Sequence, residues 1–192
     1  LPQSIASLRR SFADTPCSLA SHSSAEIIKT LLLREGDLGL SLHNPEHPDI
    51  HCQPLAQGKL QLLAPHGWLQ PRQKYIAVQD LAGQPLVGLE GHDPLSALLE
   101  SKLQNLRPAP LIQIRVQTQQ MMRSMVEAGE GLAIVDPFTA LGAKAAGLDV
   151  CPLSPPQLIS LYALTLAHST PSPAALALIE KVTENAQALL TG

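Results

Sequence analysis

The chain has 192 residues, 45% apolar and 15% charged, a balance that supports a packed core rather than disorder. Thirteen Lys and Arg against sixteen Asp and Glu leave a net charge of −3, which gives no electrostatic footprint for nucleic acid, so any DNA partner has to be held by another segment. No apolar run approaches the roughly 20 residues of a membrane span, and the opening LPQSIASLRR lacks the basic-then-apolar order of a signal peptide.

Ile5, Leu8 and Phe12 predict an opening amphipathic helix, and Pro16–His22 reads as a short strand. Ser23 or Ser24 then caps a helix with apolar positions Ile27, Ile28, Leu31 and Leu32, closed by Gly36. Strands are expected at Asp37–Leu42, around Ile50–Leu55, around Lys59–Pro65 and at Pro85–Glu90, with a loop carrying Trp68 and Pro71 before the last. Asp93-Pro94 starts a helix through Leu95, Leu98, Leu99 and Leu103. Ile112–Gln117 is a strand. A helix over Thr118–Ala128 places Met121, Met122, Met125 and Val126 on one face, and Gly129 ends it. Gly131–Asp136 and Leu158–His168 are further strands. A short helix is expected over Pro137–Ala145, and Ser172-Pro173 opens a final helix with Ala175, Ile179, Val182, Ala186 and Leu189 at helical spacing. Strands alternating with helices predict an α/β fold with mostly parallel sheet.

A shift of 94 positions superimposes two strand–helix–strand units. Ser24 falls on Thr118, Ile27-Ile28 on Met121-Met122, Leu31-Leu32 on Met125-Val126, and Leu38 and Leu40 on Leu132 and Ile134. Such a repeat predicts two similar lobes, although units of this kind share a binary pattern in any case.

Ligands of open parallel sheets gather at the carboxyl ends of the strands, where helix N-termini favour anions. Two short polar runs stand there, Ser21, His22, Ser23 and Ser24, and Gln117, Thr118 and Gln119. Each can contact a ligand, merely cap its helix, or do both. Asp136 ends an apolar strand, where it can bind an ammonium group or cap the helix opened by Pro137. Glu90 and His92 follow another strand with the same ambiguity. Catalytic and cofactor motifs are lacking: there is no nucleophile elbow, no phosphate-binding glycine loop and no dinucleotide pattern. His43, His47 and His51 repeat every four residues, but Pro45 and Pro48 forbid the helix that would gather them round a metal. Cys17, Cys52 and Cys151 are odd in number and widely spaced, as expected of free thiols in a reducing cytoplasm.

Three segments resemble LysR-type transcriptional regulators. SSAEIIKTLLLREGDLGLSL looks like the family's helix-then-strand unit with its Gly-Asp pair. KLQLLAPHGWLQPRQKYIAVQDLAGQPLVGLE is similar to the crossing strand and the Asp-Leu turn before the second lobe. MMRSMVEAGEGLAIVDPFTALG is similar to the second lobe's Val-x-x-Gly-x-Gly stretch. The resemblance implies the effector-binding domain: two Rossmann-like lobes joined by crossing hinge strands, a type II periplasmic-binding-protein-like fold, with residues 1–70 plus 160–192 as the first lobe and 71–159 as the second. It implies a small effector between the lobes, near Ser21–Ser24, Gly88, Glu90, Gln117–Gln119, Val135, Asp136 and Phe138, and no enzyme activity, metal or cofactor. The VDPFTA variant resembles the branch that responds to amino acids and opines. DNA contact would belong to an N-terminal winged helix-turn-helix that this sequence does not include, and a first strand is expected ahead of Leu1. The implied assembly is a cytoplasmic homodimer, tetrameric at full length, with no membrane partner. A solute-binding protein for transport and an enzyme on the same two-lobed scaffold are the competing readings; the first would carry a signal peptide, the second a convergent acid–base pair.

Overall fold

A computed structural model describes residues 1–70, 72–90 and 94–191. In chain order its elements are α1 (Pro2–Ser11), α2 (Ser24–Leu32), β1 (Gly39–Ser41), β2 (Ile50–Lys59), β3 (Gln61–Ala64), β4 (Ile76–Ala77), a 3-10 turn (Val78–Leu81), β5 (Pro85–Leu89), α3 (Pro94–Leu103), β6 (Leu111–Val116), α4 (Gln119–Glu127), β7 (Ala133–Val135), α5 (Pro137–Ala140), β8 (Asp149–Ser154), β9 (Leu158–Leu166) and α6 (Pro173–Thr191). They form two compact units, Leu1–Gln57 with Ser160–Gly192, and Gly58–Ile159. The chain passes between them within β2 and within β9. Leu60, Leu62, Leu63 and Ala64, expected in the first lobe, are fully buried in the second unit, so the first crossing falls at residue 57 rather than near 70. Pro71, His92, Asp93 and the side chain of Leu95 lie outside the described residues.

In the first unit the sheet runs β1-β9-β2, with Leu40 opposite Ala163 in an antiparallel pair. Helix α6 buries Ala175, Ile179, Val182 and Ala186, as their spacing predicts, while Leu189 is exposed. The buried Ser4 hydroxyl ties α1 to α6, donating to the Lys181 carbonyl at 3.3 Å and accepting from Asn185 Nδ2 at 2.8 Å. Residues 16–22 form no strand. They are exposed throughout, Leu19 to 63%, and no strand among the described residues pairs with them. Apolar alternation is an offer of pairing, and extended chain becomes sheet only against a neighbour.

Ser23, not Ser24, caps α2, in a reciprocal box with Glu26: Ser23 Oγ accepts from the Glu26 N–H at 3.3 Å, and Glu26 Oε2 accepts from the Ser23 N–H at 2.9 Å. The helix closes at Arg34 rather than Gly36. Arg34 takes the left-handed conformation (φ 57°), its N–H donates to the Leu31 carbonyl, and the Glu35 N–H donates to that of Thr30, the paired bonds of a Schellman motif. Helix α4 ends in the same motif, with Gly129 (φ 84°) donating to Val126 and Glu130 to Met125.

In the second unit β4, β8, β3 and β7 lie side by side in that order, and β5 pairs with β6. A parallel bridge between Leu86 and Leu132 sets β5 beside the start of β7. Strands β5, β6 and β7 therefore run the same way, and β3 runs against both β7 and β8. The period of two along β5 sends Leu86 to a cluster with Leu99, Leu103 and Leu132, and Val87 to a second cluster with Val116, Met122 and Val126. Met121, expected on the apolar face of α4, is 46% exposed, and Leu98 of α3 also faces out. Strands β4 and β8 have no counterpart in the sequence reading, whereas the 3-10 turn holds the Asp80-Leu81 pair of the expected Asp-Leu turn. Pro152 inside β8 hides the pattern, since proline cannot donate to a ladder. Helix α5 stops at Ala140, well short of Ala145, because Leu141 turns extended.

Candidate functional site

Because β5, β6 and β7 share a direction, their carboxyl ends meet at one edge of the second unit. The Glu90 N–H donates to the Val116 carbonyl at 2.7 Å, tying the ends of β5 and β6. Beyond β6, Thr118 is extended and its Oγ1 caps α4 by accepting from the Met121 N–H at 3.1 Å. Gln119 Oε1 accepts from the Asp136 N–H at 2.6 Å. That bond fixes which way the Gln119 amide faces, since only its oxygen can meet an N–H, and it joins the start of α4 to the end of β7.

Asp136 is only 4% exposed. Its Oδ1 accepts from the Phe138 N–H at 2.7 Å and the Thr139 N–H at 3.0 Å, and its Oδ2 accepts from the Thr139 hydroxyl at 2.6 Å. Of the two roles open to it, the structure shows the cap of α5.

Not every expected site residue presents its side chain at this edge. Val135 is fully buried in the core beside Leu63 and Val126, so only its backbone can reach a ligand. Gly88 is half-buried in mid-sheet, where a Cβ would stand 2.8 Å from Ile112 Cγ2, so a close approach between β5 and β6 explains this glycine. Glu90 and Gln117 are exposed, and Thr118, Gln119 and Phe138 are half-buried. In the first unit Ser21, His22 and Ser23 are exposed and Ser24 is half-buried. The Ser23 backbone N–H, then its hydroxyl, hold the exposed Glu26 carboxyl below its ordinary range, with smaller help from His22 and Lys29.

His43 and His47 lie on a loop and His51 on β2, and among the described residues no three His, Cys, Asp or Glu side chains gather to hold a metal. Burial pushes the Cys52 and Cys151 thiols up, while Cys17 is exposed. Among the described residues no helix is long and apolar enough to cross a membrane.

The sequence reading passed over a shallow cleft between α3 and the β5–β6 pair, open to solvent and lined mainly by apolar side chains. Ser96 lies in its wall, 5% exposed, with its hydroxyl buried and without a hydrogen-bond partner among the described residues. Such an orphan costs roughly 1–3 kcal/mol. Its signal was present in the chain: Ser96 stands three and seven residues before Leu99 and Leu103, on the helix face that packs inward.

Comparison with known proteins bears on both units. Residues 1–187 match the model of the LysR substrate binding domain. The transcriptional regulator DgcR of Pseudoalteromonas sp is 24% identical over 168 residues, which are 88% of this chain and 58% of that protein. HinK, a LysR family regulator from Pseudomonas aeruginosa, superimposes with a TM-score of 0.78 at 22% identity, over 98% of this chain and 66% of its own. The effector binding domain of QuiR, in complex with shikimate, gives a TM-score of 0.76 at 20% identity over 96% and 89%. The chain thus spans less than two thirds of DgcR and of the HinK chain, and along nearly all of its own length it belongs to the LysR substrate-binding domain family.

Proposed function

We propose that this chain is the effector-sensing domain of a LysR-type transcriptional regulator, and that its effector is a small metabolite carrying a carboxylate, of amino-acid or opine type. One observation carries the reading: three strands running the same way end at one edge, where the 2.6 Å bond from the Asp136 N–H joins Gln119 and Thr118 caps the helix that Gln119 begins. Unpaired N–H groups at the start of α4 favour a carboxylate there. Asp136, with three donors already on its carboxylate, acts as a positioning residue for Gln119 and Phe138. The ammonium partner is then Glu90, the exposed carboxylate at the end of β5. Ser21, His22, Ser23 and Ser24 of the first unit enter the proposal on their sequence pattern alone. The carboxylate shikimate bound to QuiR fits the same chemical class.

In the full-length protein the domain would work in the cytoplasm, in homodimers paired into a tetramer, with DNA held by a separate N-terminal winged helix-turn-helix. An effector controls such an assembly only by binding one arrangement better than the other. The test is a thermal-shift screen of this chain against amino acids, opines, keto acids and aromatic carboxylates, where native-state binding raises the midpoint by mass action. A hit weakened by Thr118→Val, Gln119→Ala or Glu90→Gln supports the site. A hit indifferent to all three overturns it, and a midpoint indifferent to the whole panel overturns the effector class.

A further inference from the structure

We propose that residues 137–148 form a flap that opens as one unit, and that Arg123 of α4 is its latch. This inference stands on the second unit alone and does not rest on the effector reading. Among the described residues, the backbone bonds of this segment close within residues 136–148: the Ala140 N–H donates to Asp136, that of Leu141 to Phe138, and that of Leu148 to Ala143. The helix inside it, α5, spans only Pro137–Ala140, too short to persist on its own backbone bonds. One side-chain hydrogen bond reaches the segment from elsewhere among the described residues, Arg123 Nη1 donating to the Leu141 carbonyl at 2.9 Å.

The packing beneath the segment is thin. Ala140, Ala143 and Leu148 are buried in one cluster with Val126 and Val135, but two of the three bring only a methyl group. Leu141, Lys144, Ala145 and Ala146 face out. The latch itself is held in place. Arg123 Nε donates to Glu127 Oε1 at 2.8 Å, one turn further along α4, and the arginine side chain is only 18% exposed. That pairing aims the guanidinium at Leu141, and a bond from a charged donor is stronger than a neutral one. Helix α4 therefore grips the segment twice, through Gln119 at its root on Asp136 and through Arg123 at Leu141. Opening would carry Phe138 away from the candidate edge and uncover part of the apolar cluster.

The experiment is native-state amide exchange on the whole chain, with trypsin as a second readout. In the parent chain the Ala140, Leu141, Ala143, Ala146 and Leu148 amides should share one opening equilibrium. They should exchange faster than the Val87 and Leu132 amides, which are bonded between β5 and β7. Arg123→Met should speed the five together about tenfold, the low end for loss of a bond to a charged group. Glu127→Gln leaves Arg123 its bond to Leu141 and should speed them less. Leu86→Val loosens the other apolar cluster and should speed Leu132 while leaving the five unchanged. Lys144 is the one Lys or Arg between Arg123 and Lys181, so tryptic cleavage there reports the same opening and should rise by the same factor in Arg123→Met. Five separate equilibria in the parent chain, or exchange as slow as that of Leu132, would overturn the flap without any variant. So would a rise of the five in Leu86→Val equal to that of Leu132, because they would then open only with the whole unit. Unchanged exchange of the five in Arg123→Met would overturn Arg123 as the latch.

Discussion

Replacing Asp136 by asparagine and by alanine separates its cap from its charge. Asparagine keeps a carbonyl facing the Phe138 and Thr139 N–H groups, but the bonds at 2.7 and 3.0 Å become neutral ones. Its NH₂ then meets the Thr139 hydroxyl, now 2.6 Å from Oδ2, and forces that hydroxyl to accept where it donated. Charge-assisted bonds are worth about twice neutral ones, so Asp136→Asn should cost about 1–2 kcal/mol. Alanine loses all three bonds and the N-cap, and should cost about 3 kcal/mol. Urea unfolding of the parent chain and the two variants would measure both steps. A cost for alanine below about 1 kcal/mol, or one equal to that of asparagine, would show that the cap does not hold α5. The effector screen separates the two functional roles. If Asp136 positions Gln119 and Phe138, the asparagine variant retains binding; if it is the ammonium partner, binding disappears with the charge although the fold survives.

Arg34 and Gly129 occupy equivalent left-handed positions at the ends of α2 and α4. Arg34→Gly should stabilise the chain by about 0.5–1 kcal/mol and Gly129→Ala, whose Cβ would meet nothing within 4 Å, should destabilise it by about 1 kcal/mol; unfolding changes in the same direction would refute the assignment of the motif. The capping box predicts a pH dependence at α2. The folded Glu26 value lies below the ordinary 4.5, so its contribution is present above pH 4.5 and lost as the pH falls through the folded value. Amide exchange in the first turn of α2 should rise in that acid window, and Glu26→Gln should remove the dependence.

Where local chemistry decides, the residues could be read in advance. Thr118 at the start of α4, Ser172 accepting the Ala175 N–H on its hydroxyl oxygen at the start of α6, and the buried face Ala175–Ile179–Val182–Ala186 all follow from capping and spacing. Where pairing partners decide, the sequence is mute. Residues 16–22 carry a strand pattern and meet no strand among the described residues, whereas β8 contains Pro152 and is nonetheless seated between β3 and β4. At the candidate site the polar runs after β6 and β7 are visible as composition. The bond from the Asp136 N–H to Gln119 depends on residues 17 apart meeting at one edge.

The internal repeat shows how a correct inference can sit in the wrong register. Helices α2 and α4 both have nine residues and correspond at a shift of 95, since Ser24 starts one and Gln119 the other. Strands β1 and β7 correspond at 94, as Gly39 does to Ala133. A shift of 94 misaligns the helices by one because Leu31, Leu32 and Leu33 are consecutive, and a run of three leucines does not say which of them faces the core. Burial does: Leu31 is 2% exposed and matches Val126 at 0%, while Leu32 and Leu33 lie outside. The missing residue falls after the Schellman motifs, which align at 95 through Arg34 and Gly129. Each unit therefore repeats a hydroxyl-capped helix, a left-handed stop and a strand that runs antiparallel to its neighbour, β9 in the first and β3 in the second. The shared motif places Ser23 and Thr118 at equivalent helix starts.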